Sequence, residues 1–488
     1  MENPDSLKEE HLTSFLLFSV FAATIGSSFQ FGYHLSCVNP PGQLITKWYN
    51  ESHFQMFGTY FTPEEADFAW SITVSMFAFG GMFGGLLSGW LADRVGRRGT
   101  ILYNNVLIII AVALMTSAKY IGIYYLITAG RFLIGISAGI NCGVAPVYLT
   151  EISPIKLRGT MGSANQLVIT FAVLISMIVG LPYIFGDERR WPFIFAFALI
   201  PCLIQLTTLP FCPESPKYSL LLKHNRNQAE RDLKILRGRN DVSAELNLIE
   251  EENGNEEKIG FKHMFFGEYR WPLVVVTVTM LAQQFSGINA ILFYSTRIFR
   301  DAGLSGDGPI YASICIIAVQ FAHTGVSTWL VDHPKCGRRP LLLLGFAGMF
   351  VSSIFLAIFL SIAGSKDESG NLTNQWAAYV SILFVLSFVV SFATGPGAIP
   401  WFLASELFSS AARGVASAVV VVASWCGSFT VGLSFLELNH VIGQLTFLLF
   451  ACILLFSVIF TYKFVPETKG KSVDEINADL IVRRKHIF

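Results

Sequence analysis

Apolar residues dominate this chain in long blocks separated by short polar stretches. The blocks run over about 14–36, 66–91, 99–118, 121–147, 161–184, 191–211, 271–297, 308–331, 340–363, 376–404, 414–436 and 441–463. Each approaches the ~20 residues that a helix needs to cross the hydrocarbon core of a bilayer. A helix bonds its own backbone polar groups, which lipid cannot do, so the pattern predicts an all-α membrane protein with twelve spans. The longest polar stretch divides them six and six: a first bundle over 1–212, a linker over 213–270, a second bundle over 271–465 and a tail over 466–488. Within the linker, Leu233, Leu236, Leu246 and Ile249 recur at helical spacing, which predicts short amphipathic helices at one membrane surface.

The two halves repeat each other. Glu151 precedes Arg158 by seven residues and Glu406 precedes Arg413 by seven, an offset of 255. Pro213-Glu214-Ser215-Pro216-Lys217 returns as Pro466-Glu467-Thr468-Lys469-Gly470. Asp93-Arg94-Val95-Gly96-Arg97-Arg98 is echoed by Asp332 and Gly337-Arg338-Arg339, although His333-Pro334-Lys335-Cys336 intervenes and is expected to loosen the second copy. Duplicated halves suit a rocking transporter that holds its substrate between them near the midplane. The charges at these corners are predicted to form ion pairs that link the halves in the outward-open state and break when the inside opens. Positive-inside anchoring explains the arginines but not the recurring acids.

Composition agrees with the pattern. Of 488 residues, 14% are charged, and mean hydropathy is +0.54; soluble chains carry about 25% charged residues. Zero net charge argues against a nucleic-acid partner. The first thirteen residues are polar and mixed in charge, so the first span reads as a membrane helix rather than a cleavable signal. Eight cysteines include no Cys-x-x-Cys pair, so no disulfide or zinc framework is expected. Neither a His-Glu-x-x-His motif nor a phosphate loop occurs, and no metal, cofactor or enzymatic activity is expected. Gly135-Ile136-Ser137-Ala138-Gly139 matches a hydrolase elbow, but it sits mid-span; like Gly81, Gly85 and Gly89 it reads as close helix packing.

Two sequons fix an orientation. Asn50-Glu51-Ser52 follows span 1 and Asn371-Leu372-Thr373 follows span 9, on the same side of a twelve-span chain. Glycosylation needs that side to be lumenal or extracellular. The opposite loops carry Arg94, Arg97, Arg98, Lys156, Arg158, Arg338 and Arg339, as the positive-inside rule requires. Both termini are therefore expected in the cytoplasm.

The chemistry lies in span 7, where Gln283-Gln284-Phe285-Ser286-Gly287-Ile288-Asn289 interrupts hydrocarbon with three amides. Amides at bilayer depth need partners or a wet cavity. They both donate and accept, as recognition of a neutral polyol requires. On an unbroken helix Gln283 and Asn289 would point about 120° apart. A break at Ser286-Gly287 would turn them toward one cavity, and discontinuous helices are where transporters place substrate. The alternative is that these amides only bond neighbouring helices. Span 10 holds Gly395-Pro396-Gly397-Ala398-Ile399-Pro400-Trp401, whose two prolines and two glycines predict a hinge or gate. Trp401 offers an aromatic face for a sugar ring, against the alternative of a packing tryptophan.

These residues, with Gly130-Arg131 and Pro146 to Glu151, resemble those of major facilitator superfamily sugar porters, most of all the animal facilitative glucose transporters. The resemblance covers nearly all of residues 14–475. It implies two six-helix bundles with alternating access, and sugar contacts at Gln166, Gln283, Gln284 and Asn289. Gln320 falls where the family commonly has asparagine. Trp401 is implied as a site or gate residue and Trp425 as a further candidate, with Gly287, Tyr294 and the span-10 hinge as gating positions. Ala393 stands where glucose-selective members carry glutamate, and Ser424 and Ser428 replace asparagines, which bears on fine specificity. His34 stands where proton-coupled relatives place aspartate and uniporters asparagine. The expected function is facilitative transport of a hexose, glucose foremost, across the plasma membrane. The alternatives are a proton–sugar symporter with His34 titrating, and a non-transporting sensor, which would need a longer tail than the twenty or so residues after Lys469.

Overall fold

The computed structural model describes residues 12–154, 157–253, 261–333, 336–363, 374–471 and 473–485. Every regular element among them is a helix. Ten stretches are long and apolar enough to cross a membrane. One of these, Ala412–Phe464, is two helices, Ser410–Ile442 and Thr446–Phe464, and Ala164–Val179 is a shorter apolar helix within Arg158–Val179. Twelve helical segments thus match the twelve apolar blocks.

Four spans are interrupted. Span 1 is Ser14–Ile25 followed by Ser28–Ser36, and span 6 is Pro192–Ala196 followed by Leu199–Thr208. Span 7 is Arg270–Phe285 and Ile288–Asp301, with Gly287 between them at φ 97°, a left-handed conformation that side chains disfavour. Span 10 is Gln375–Thr394 and Ile399–Glu406, broken over Gly395–Ala398.

Span 2 (Pro63–Val95) packs along span 4 (Tyr125–Ile152) at near backbone contact. A Cβ on Gly80 would lie 2.1 Å from the carbonyl oxygen of Phe132, and one on Gly135 would lie 2.1 Å from that of Phe77. Gly81 and Gly85 face span 11 instead, against Trp425 and Val421, while a Cβ on Gly89 would meet nothing. The halves meet where span 2 packs on span 11 and span 5 on span 8 (Gly308–Asp332). These two contacts are related by the repeat, since span 8 corresponds to span 2 and span 11 to span 5.

The sequence pattern missed a helix in the loop after span 1, Gly42–Phe57, which Gly58 ends at φ 74°. Asn50 lies in it, half-buried, its side-chain oxygen accepting the Phe61 N–H at 2.7 Å. Asn371 lies outside the described residues.

The linker forms helices over Arg226–Arg237 and Ser243–Asn253. Leu233 and Leu246 pack with Leu220, Ala229 and Val242, whereas Leu236 is buried against the first bundle. Arg237 donates to the carbonyl of Ile152 at 2.7 Å, and Thr13 donates to that of Leu236 at 2.8 Å. The linker helices are therefore docked on the first half. Asp232 is buried in this docked unit; Gln228 donates to one carboxylate oxygen at 2.9 Å, and the other has no partner. Burial pushes its pKa up to about 6, against the Gln228 bond and the nearby Arg98, which lower it. A carboxyl raised on folding favours the docked state below its unfolded pKa near 4 and loses that contribution as pH rises through about 6. Protection factors of the amides in these two helices, taken relative to the intrinsic exchange rate at each pH, should therefore be higher at pH 5 than at pH 8. In Asp232→Asn the protection factors should be equal at both, and a pH dependence of protection surviving that substitution would contradict the assignment.

Candidate functional site

The three amides of span 7 form one connected chain. The Asn289 amide donates to Gln284 Oε1 at 2.7 Å, and Gln284 donates to Gln283 Oε1 and to Ser424 Oγ, each at 2.9 Å. Gln283 donates to the carbonyl oxygens of Pro396 and Gly397 at 2.5 and 2.8 Å. The two breaks thus meet: amides beside the interruption of span 7 satisfy carbonyls freed by the interruption of span 10. All three side chains are buried. Ser424, one of the departures from the asparagine pattern, holds Gln284 from span 11. The amides therefore do bond neighbouring helices in this conformation, and a bound polyol would have to exchange with those bonds.

The other predicted positions scatter around this chain. Gln320 is buried and Gln166 half-buried. Trp401 begins the second half of span 10 and is 36% exposed, with no aromatic partner among the described residues. Trp425 is buried at the interface between halves, its ring edge-on to Phe31 and Phe77 at 5.6 Å each and its indole N–H unpartnered. It covers Gly81, so packing explains its position. Tyr294 donates to the Gly432 carbonyl at 2.9 Å and stacks on Phe435. His34 is fully buried, with Nδ1 3.8 Å from Cys37 Sγ and Nε2 unpartnered. Its carbonyl accepts from Arg131, itself fully buried, at 2.6 Å.

The charged corners are seen here in a conformation whose cross-half contacts lie on the opposite side. In this conformation the corner ion pairs among the described residues close within each half. Arg97 pairs with Glu151 at 2.9 Å and Asp93 at 3.3 Å; in the second half Arg338 pairs with Glu406 at 3.3 Å. Ser215 and Thr468 each donate to the matching glutamate at 2.5 Å. Glu214 accepts from the backbone N–H groups of Arg97 and Arg98 at 3.0 Å, and Glu467 does the same for Arg338 and Arg339 at 2.9 and 3.3 Å. Each carboxylate caps the first turn of the third span of its half, where orphan N–H groups and the helix dipole favour an anion. The repeat pairs Glu214 with Glu467, yet the latter was not singled out from the sequence. Arg98 and Arg339 donate to the carbonyls of Cys212 and Tyr462. Arg413 donates weakly to Phe408, and Arg94 stacks on Trp90. Asp332 and Arg158 fall in helices whose side chains at those positions are outside the described set. Beside the insertion in the second copy, of which Pro334 and Lys335 lie outside the described residues, the Lys469 ammonium donates to the carbonyls of Val331, His333 and Cys336 at 2.6 to 2.9 Å.

Polar contacts that cross between the halves cluster on the other side, near Asn50. Asn39 bonds Leu292 O at 2.9 Å, Ser295 Oγ at 2.8 Å and Thr296 N at 3.1 Å, and Ser36 donates to Leu292 O. Asp67 pairs with Arg297 and His440. A cavity of about 390 Å³ opens among Asn50, Asp67, Trp70, Tyr294 and Arg300, away from the amide chain. The halves are drawn together on the sequon side, and groups on the linker side bond within their own bundle.

Residues 19–480 match the family model described as "Sugar (and other) transporter". The chain belongs to that family. This sugar transporter is 50% identical over 476 residues to "Facilitated glucose transporter protein 1" of Caenorhabditis elegans, covering 97% of this chain and 92% of the relative. It is 38% identical to "Solute carrier family 2, facilitated glucose transporter member 5" of Equus caballus, covering 98% and 94%. Among solved structures it resembles a major facilitator superfamily proton:xylose symporter bound to 6-bromo-6-deoxy-D-glucose, with TM-score 0.76, 25% identity and coverage of 96% and 100%. It also resembles the inward-open xylose transporter from E. coli, with TM-score 0.75, 25% identity and coverage of 95% and 99%. The protein is a multi-pass membrane transporter of the major facilitator fold.

Proposed function

We propose that this sugar transporter carries a hexose, glucose foremost, down its gradient across the plasma membrane by alternating access. Its linker and both termini lie in the cytoplasm. The observation that carries the reading is the amide chain joining the broken spans 7 and 10. Uncharged donors and acceptors, held at mid-membrane beside two helix interruptions, can exchange their mutual bonds for the hydroxyls of a neutral sugar. Gln166, Gln320 and Trp401 would complete the site as the halves move, with Gly287 and Gly395–Pro400 as hinges. The relatives named facilitated glucose transporters support a uniporter.

The units proposed are residues 1–212 and 271–465 as rocking bundles, 213–270 as linker and 466–488 as tail. With the sequon side outward, the structure's cross-half contacts close the carrier to the exterior. Weak binding suits release: a millimolar dissociation constant is about −4 kcal/mol. Proteoliposomes should equilibrate labelled glucose without accumulating it, at a rate unchanged by a protonophore. Accumulation above the external concentration, abolished by the protonophore, would instead establish the symporter.

A further inference from the structure

We propose that Asp67, Arg297 and His440 form an external latch whose release is a step of transport in this chain; the inference rests on the alternating-access reading above. Asp67 stands in the second turn of span 2, in the first half, with its side chain 9% exposed. Arg297, on the last turns of span 7, meets it with both terminal nitrogens, at 2.5 Å to Oδ1 and 2.6 Å to Oδ2. Nε2 of His440, at the end of span 11, lies 2.7 Å from Oδ2. One carboxylate of the first half is thus held by two spans of the second.

This arrangement differs from the corner charges, which bond within a half, and from the amide chain, which lies inside the second half. It also differs from the neighbouring Asn39 contacts with Leu292 and Ser295, which are uncharged. A forked, largely desolvated guanidinium–carboxylate pair is directional and stronger than an exposed one. The halves cannot separate on this side without breaking it. Separation would leave Arg297 with only Asp301, 3.7 Å away on its own helix. Because Asp67 touches no member of the amide chain, its contribution falls on the balance between conformations rather than on sugar contact.

The test is a distance measurement on the full-length protein. Spin labels go on Glu64→Cys and Val441→Cys, both exposed and in opposite halves on the sequon side, with the exposed Cys315 and Cys452 replaced by serine. The otherwise unaltered protein should show one short distance population. Asp67→Asn, nearly isosteric, should raise a longer population about tenfold, a size typical of coupling between states. His440→Gln should do so to a smaller extent. Arg297→Asp should open the pair as Asp67→Asn does, and Asp67→Arg combined with Arg297→Asp should restore the short distance. Unchanged distances in Asp67→Asn, or an exchanged pair that stays long, overturn the latch. Hexose counterflow by the unlabelled protein is measured alongside. Its absence would overturn the carrier reading, whereas the distances judge the latch.

Discussion

Gln283→Ala is expected to reduce hexose flux by roughly a hundredfold. The amide serves two carbonyls of the span-10 break and supplies the oxygen that receives Gln284. Truncation leaves those buried groups short of partners, at about 1–3 kcal/mol each. The flux loss is a separate effect: forfeiting about 3 kcal/mol of hexose binding, two or so hydrogen bonds, corresponds to roughly a hundredfold, since 1.4 kcal/mol is tenfold. Stability must be measured with flux, because a residue that only ties span 7 to span 10 would lower the melting temperature yet leave the hexose affinity of the folded protein unchanged. The account requires affinity to fall in correctly folded Gln283→Ala. Asn289→Ala should weaken affinity with a smaller loss of stability, because its amide ends the chain and bonds only Gln284.

Glu151→Ala should be the more damaging of two matched changes in the corner clamps. Arg97 and Glu151 have side chains 12% exposed each, whereas Arg338 and Glu406 are 15% and 25% exposed. Breaking a buried pair strands a charge and costs about 3–5 kcal/mol, while exposed pairs are worth about 0–1. Glu151→Ala leaves Arg97 with the half-exposed Asp93 and the Ala92 carbonyl. A loss of about 3 kcal/mol is expected there, with a clearly smaller one for Glu406→Ala. Both are measured as recovery of monodisperse protein after graded heating in detergent. Equal losses would show that burial does not set the difference.

What was legible in the sequence follows from how each feature is encoded. The spans were readable because crossing hydrocarbon demands a long apolar run. The breaks in spans 7 and 10 were readable because Gly287 alone fits φ 97° and because two prolines cannot continue a helix. The corner acids were found through the internal repeat, but their partners were not. Proximity along the chain does not say whether Arg97 reaches across to the second half or back to Glu151, and only the packing of the bundles decides that. Glu467 was within reach, since its motif had been aligned with that of Glu214. The Asp67 latch joins residues 230 and 373 positions apart, with no local signal beyond charges near span ends. The Gly42–Phe57 helix was hidden by its polarity between two obvious spans. Likewise the amides could be placed at bilayer depth from sequence, but not their choice of one another as partners.

The most direct test of the central claim is a structure of the protein determined with a hexose bound. The account predicts sugar hydroxyls within hydrogen-bond distance of Gln283, Gln284 and Asn289, with the Asn289–Gln284 bond given up to the ligand. A hexose seated elsewhere, with the amide chain intact from Asn289 to the span-10 carbonyls, would contradict it.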